Sequence, residues 1–172
     1  MKKVIILILL GLGTLTAKAQ IPQPDPDTTA KHFLIVASIG NLQEVSASRQ
    51  AVQKAKNSDV RMFGQIMVKD HSDAEQKLLA LARSRGYSLP QAATSGIQPD
   101  ISLKNAGEDF DRLYVHAMVV NHRNTVLTFE NYSTTGKDPE LKAFALQMMP
   151  TLKAHLNAIK ALDDKYKTLT AN

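Results

Sequence analysis

Residues 59–86 read DVRMFGQIMVKDHSDAEQKLLALARSRG. Val60, Phe63, Met67, Ala74, Leu78 and Leu81 recur at steps of three and four once His71 is counted among them, which is one face of an α-helix. His71 is the one polar residue in that series. Asn57 or Ser58 offers a cap ahead of Asp59. Gly86 suits the left-handed geometry that closes a helix.

The same period extends outward in both directions. A helix from about Thr29 to Asn57, capped by Asp27, Thr28 or Thr29, carries Phe33, Ala37, Gly40, Glu44, Ala47 and Ala51 on one face. The turn between it and the next helix is tight, so the two are expected to be antiparallel neighbours. A third helix is expected over Gly107 to Tyr132, with Val115, Val119, His122, Val126 and Phe129 inward. In the turn Gly136-Lys137-Asp138-Pro139, Asp138 is the cap and Pro139 the first helical residue. The fourth helix then runs to about Leu169 with Leu141, Phe144, Met148, Leu152, His155, Ile159, Leu162 and Tyr166 inward. Pro150 should bend it near Leu146, because proline lacks the amide hydrogen that would reach that carbonyl. No segment of comparable length alternates as a strand does. The chain therefore reads as all-α, a four-helix bundle over residues 29–169.

About twenty residues with Pro90, Gly96 and Pro99 separate the second and third helices, long for a link between packed helices. Fully extended they reach about 66–72 Å, whereas a 27-residue helix is about 40 Å long. The link is thus long enough to return along the whole bundle and make the second and third helices parallel, the ferritin-like arrangement. A loose loop in a plain up-and-down bundle is the alternative.

The first residues carry a different signal. Met1-Lys2-Lys3, the apolar run Val4 to Leu12 and the small-x-small site Ala17-Lys18-Ala19 describe a leader for export over residues 1–19. The run is shorter than the roughly 20 residues of a membrane span. With no cysteine in the chain, neither a lipid anchor on cysteine nor a disulfide is expected, although the compartment would permit the latter. Pro22, Pro24 and Pro26 make residues 20–28 an extended tether. Loss of the leader removes three of the 21 basic residues and none of the 16 acidic ones, so the formal charge falls from +5 to +2. Without a cationic block or a tryptophan, nucleic acid is not expected as a partner. An exported protein, periplasmic or outer-membrane associated, with an unknown protein or envelope partner, fits these features.

Each inward stripe is broken once, by Glu44, His71, His122 and His155. Counted from the Ser58 turn, Glu44 and His71 lie 14 and 13 residues away, about 20 Å at the helical rise, so they should be level. His122 lies 14 residues from Gly136, also near the middle, while His155 lies 19 away, about 7 Å off that level. One carboxylate and two or three imidazoles converging in a core make a site for a transition metal ion such as zinc, iron or copper. The same groups also serve as hydrogen-bonded core residues that pair with one another. Tyr114 is expected within reach of the pocket. Glu75, one turn beyond His71, is expected behind the site or as a further ligand. Asp70 and Asp73 are expected in solvent, His32 and His116 on the surface, and the methionines Met67, Met148 and Met149 as core filling.

Met67-Val68-Lys69-Asp70-His71, Phe110-Asp111-Arg112-Leu113-Tyr114, Asn121-His122 and Met149-Pro150-Thr151-Leu152-Lys153-Ala154-His155, with Gly40-Asn41-Leu42-Gln43-Glu44 ahead of them, form a set. As a set they resemble the ferritin-like family known as domain of unknown function 4142, described as outer-membrane or secreted bacterial proteins. The resemblance implies a ferritin-like bundle, export, and no established enzymatic activity. It carries over Glu44, His71, Asp111, Tyr114, His122, Pro150 and His155 as positions of the family pattern, without a role for any. Ferritin's Glu-x-x-His pairs are absent here, which argues against a di-iron centre. Two functions stay open: a non-catalytic envelope or interaction protein, and a metal-binding bundle in oxidative or metal stress. Hydrolysis by a nucleophile has no support, since cysteine and a Gly-x-Ser-x-Gly elbow are both lacking.

Overall fold

The computed structural model describes residues 28–89 and 101–170. The leader and all of the tether but Thr28 lie outside the described residues, as does the middle of the long link. Four long helices are formed by α1 (Thr28–Lys54), α2 (Ser58–Ser84), α4 (Phe110–Thr135) and α5 (Pro139–Thr170), with a short α3 (Ile101–Lys104) and a 3₁₀ turn (Gly107–Asp109) ahead of α4. Among the described residues no strand occurs and no helix is long and apolar enough to cross a membrane.

Local chemistry accounts for the ends. The Asn57 side chain accepts from the Asp59 amide at 2.7 Å and starts α2. At the other end Gly86, at φ 70°, lets the Tyr87 amide reach the Ala82 carbonyl and its own amide reach that of Arg83, the double bond of a Schellman closure. Asp138 accepts from the Leu141 amide at 2.9 Å and caps α5, as the turn sequence predicts. Helix α1 stops at Lys54, three residues short of the expected end, because Lys56 and Asn57 donate their amides to the Asp111 carboxylate at 2.7–3.1 Å. Asp111 thus ties the α1–α2 turn to α4. Its counterpart at the far end is the fork of Arg85 on Asp138, at 2.6 and 2.7 Å, which joins α2 to α5.

Two apolar clusters fix the topology. One joins the C-terminal part of α1 (Ala47, Ala51), the N-terminal part of α2 (Val60, Phe63, Met67), the start of α4 (Tyr114, Val115, Val119) and the end of α5 (Ile159, Leu162). The other joins the opposite ends, through Phe33 and Ala37, Leu78 and Ala82, Val126 and Phe129, and Leu141 and Phe144. Both hairpins, α1/α2 and α4/α5, are therefore antiparallel, while α2 and α4 run parallel. The link leaves one end of the bundle and rejoins it at the other, the ferritin-like arrangement expected from its length. Leu103 of α3 is buried in the first cluster, a short helical piece that the stripes do not predict.

Helix α5 continues through Pro150. Pro150 and Leu146 are both exposed, so the carbonyl that proline leaves without its helical partner lies on the solvent side of the helix.

Candidate metal centre

The four polar breaks fall between the two clusters. Glu44 lies between Ala37 and Ala47, His71 between Met67 and Leu78, His122 between Val119 and Val126, and His155 between Leu152 and Ile159. They form one layer across the bundle, with Glu44 2 %, His71 1 %, His122 0 % and His155 6 % exposed. The ring centroids of the histidines stand 5.5, 5.5 and 5.6 Å apart. One side-chain nitrogen of each lies within 4.8 Å of those of the other two.

His155 is therefore a full member of the group and not displaced along the bundle. Side chains on a helix lean toward its N-terminus. His155 on α5 leans back toward the α4/α5 turn and His122 on α4 leans away from it, so the offset between their backbones closes at the rings. Tyr114 does not reach the layer; its hydroxyl pairs with Ser48 Oγ at 2.9 Å, one turn beyond Glu44. Burial pushes the Tyr114 phenol up, against the bond to Ser48. His32 and His116 are exposed, as expected.

Each imidazole is held from behind by an oxygen. Nδ1 of His71 donates to Glu44 Oε2 and Asn41 Oδ1, both at 2.9 Å. Nδ1 of His122 donates to the Met118 carbonyl at 3.1 Å and stands 3.5 Å from Glu44 Oε1. Nε2 of His155 donates to Asp70 Oδ2 at 3.0 Å. In a neutral ring such an acceptor keeps the proton on the nitrogen that faces it, and the lone pair then sits on the other nitrogen. Those nitrogens, His71 Nε2, His122 Nε2 and His155 Nδ1, are buried and have no hydrogen-bond partner, and neither has Glu44 Oε1. An unpaired buried polar atom costs about 1–3 kcal/mol, so four in one layer call for a ligand.

The charges agree with this arrangement. Burial drives the Glu44 carboxyl up, but the facing His71, with His122 and His155 behind it, outweighs burial and holds it below the usual carboxylate range. Burial drives His122 and His155 down, against the pull of Glu44 on the first and Asp70 on the second. The Glu44 carboxylate is a buried negative charge, and its ion-pair partners among the described residues are imidazoles alone. Lone pairs beside such a charge favour a cation, and imidazole nitrogens are normal ligands for zinc, copper, iron and nickel.

Two residues of the site escape a stripe reading. Asp70, expected in solvent, orients His155 and is 30 % exposed in its side chain. Asn41 links the site to Glu75: its Oδ1 accepts from His71 while its Nδ2 donates to Glu75 Oε2 at 3.4 Å. Glu75 also accepts from Ser38 at 2.6 Å. It stands behind Asn41, outside the group of three histidines. Burial pushes its carboxyl up despite both hydrogen bonds.

Comparison with known proteins places the architecture. CopM in its Cu(II)-bound form superposes with a TM-score of 0.68 at 16 % identity, covering 79 % of this chain and 96 % of that one. CopM co-crystallised with silver gives the same values. A DUF305 fragment from Deinococcus radiodurans superposes with a TM-score of 0.68 at 13 % identity, covering 80 % and 97 %. At such identities the likeness is one of fold. No curated protein matches the sequence. The family model described as Domain of unknown function (DUF4142) matches residues 15–162, and the chain belongs to that family.

Proposed function

We propose that this protein is an exported metal-binding bundle that holds one transition metal ion on His71, His122 and His155. Copper is the first candidate and zinc the second. The observation that carries this reading is the pairing of held and bare nitrogens. Every ring is fixed by an oxygen on one side and presents a buried, partnerless nitrogen on the other. That is how metal-ligating histidines are prepared, with a carboxylate or carbonyl orienting each ring. Glu44 and Asp70 are the orienting carboxylates, and Glu44 balances the charge of the ion. Three nitrogens leave a coordination position for Glu44 Oε1, water or a second ligand. The copper- and silver-bound forms of CopM, a bundle of the same fold, support the choice of metal.

The leader-like residues 1–19 support a place in the periplasm or at the outer membrane, where the bundle would sequester or pass on metal. A purely interacting envelope protein needs the polar layer only to fix helix register. Such a layer would pair its groups internally, and the bare nitrogens favour the metal.

Titration of metal-stripped protein with copper, zinc and iron tests the proposal, beside a His71→Ala, His122→Ala double variant. One ion per chain is expected for the wild type, with ligand atoms about 2.0–2.2 Å from it, and none for the variant. Equal uptake by both proteins, or none by either, would overturn the assignment.

A further inference from the structure

The site is enclosed, so an ion must have a way in. Two faces come near it. On the α2/α5 side, Asp70 occupies Nε2 of His155, and the Lys69 ammonium lies 3.6 Å from Asp70. Both Asp70 oxygens are thus engaged, and Asp73 shares the same ammonium at 3.0 Å, so an approaching cation finds no bare carboxylate oxygen of Asp70 there.

The α1/α4 side differs. A groove of about 280 Å³ runs between these helices, walled by Gly40 and Gln43 on α1 and by Asn121, Asn124 and Thr125 on α4, and Glu44 lines it as well. The groove is open partly because Gly40 has no side chain: a Cβ built there meets nothing within 4 Å. Gly40 stands one turn before Glu44 on the same face. Glu44 is 2 % exposed and its Oε1 lacks a partner. Much of the remaining lining is apolar, from Val36, Ile39 and Phe129, so the amide and hydroxyl oxygens and the Glu44 carboxylate are the groups there that a cation can bind.

We infer that metal reaches the three histidines through the Gly40 groove, and that the Glu44 carboxylate takes the ion before the nitrogens do. The inference rests on the metal-binding reading above and adds its kinetics. A residue that fills the groove should slow loading and release equally and leave the equilibrium nearly unchanged, because it obstructs the path and touches no ligand.

Stopped-flow loading with Cu(II) alone, followed by quenching of tyrosine fluorescence in this tryptophan-free chain, and release to a chelator provide the test. Gly40→Leu fills the groove from α1 and Thr125→Leu from α4, so the loss of one variant to misfolding leaves the other. Both should load and release at least about tenfold more slowly, with Kd within about threefold of wild type. Gly40→Ala and Lys69→Gln should load at the wild-type rate. Leucine variants that load as fast as wild type would overturn the route, and so would faster loading by Lys69→Gln, which would put the way in beside His155. A wild-type protein that takes no Cu(II) would instead end the copper-binding reading itself.

Discussion

Glu44 and Glu75 bury the same functional group on adjacent helices, yet the two regions around them do opposite things to it. Around Glu44 stand three imidazoles, and the carboxyl is held below its ordinary range although burial opposes this. Around Glu75 stand a hydroxyl and an amide, and burial prevails over both hydrogen bonds. Burial alone disfavours a charged carboxylate, so the direction of the shift depends on whether a potential cation faces it. One region keeps a negative charge in the core beside open nitrogens. The other steadies the Asn41 amide that accepts from His71, a hydrogen-bonding task that needs no charge.

The comparison is sharpened most by exchanging each carboxylate for its amide. Glu44→Gln keeps the size and one acceptor oxygen but removes the charge that balances the ion and strengthens His71 as a donor. Loss of such a partner typically lowers metal affinity by about 10–100-fold. Glu75→Gln leaves Ser38 a carbonyl oxygen to donate to, so its effect on affinity should stay within about threefold. Calorimetric titration with copper measures both. Equal losses in the two variants would mean that the charge of Glu44 is not what the site uses.

Acid stability of the metal-free protein gives a second contrast, smaller in size and opposite in sign. Glu44, with its folded pKa lowered, contributes stability above the ordinary carboxylate range, which is lost as pH falls through its folded value. Glu75, with its folded value raised, contributes below that range, and this is lost as pH rises through the folded value. Relative to wild type, Glu44→Gln should therefore become less stable as pH rises, and Glu75→Gln more stable. His122 and His155, both lowered, resist protons that the unfolded chain takes up near its ordinary value of 6.5, so all three proteins should weaken on acidification through that range. Urea midpoints between pH 4 and 8 read the slopes. Parallel slopes for the two glutamine variants would erase the distinction between the regions.

The helical period was enough to recover the bundle and the four breaks at Glu44, His71, His122 and His155, because facing follows from counting; the parallel second and third helices were one of two arrangements that the length of the link allowed. The period was not enough for what flanks the breaks. Asp70 precedes His71 by one residue, about 100° around the helix. That turns it from the bundle axis toward α5, where it meets His155; judged along one stripe it falls in solvent. The level of His155 was misjudged for a related reason, since counting locates Cα atoms while the lean of the side chains locates the rings. Tyr114 was expected near the pocket from the phase and depth of the α4 stripe, but its phenol reaches Ser48 one turn away. Asn41 on α1 bridges His71 and Glu75 on α2, a relation that no single helix displays.

The smallest expected effect concerns the side from which each carboxylate is approached. Glu75 has its oxygens covered by Ser38 and Asn41, whereas Glu44 lines a groove kept open by a glycine within a helix. Glycine inside a helix costs about 0.5–1 kcal/mol relative to alanine, and at Gly40 no neighbour within 4 Å would resist a Cβ. Gly40→Ala should therefore raise the unfolding free energy by about 0.5–1 kcal/mol, through helix propensity and a less flexible unfolded chain. Chemical denaturation of the metal-free protein checks it. A stabilised Gly40→Ala that also binds copper normally would show that the glycine is not needed to fold or to hold the ion, and would leave clearance above Glu44 as the property that larger side chains remove. A destabilised Gly40→Ala would mean instead that α1 and α4 approach too closely at this point for a methyl group, and the openness that separates Glu44 from Glu75 would be lost.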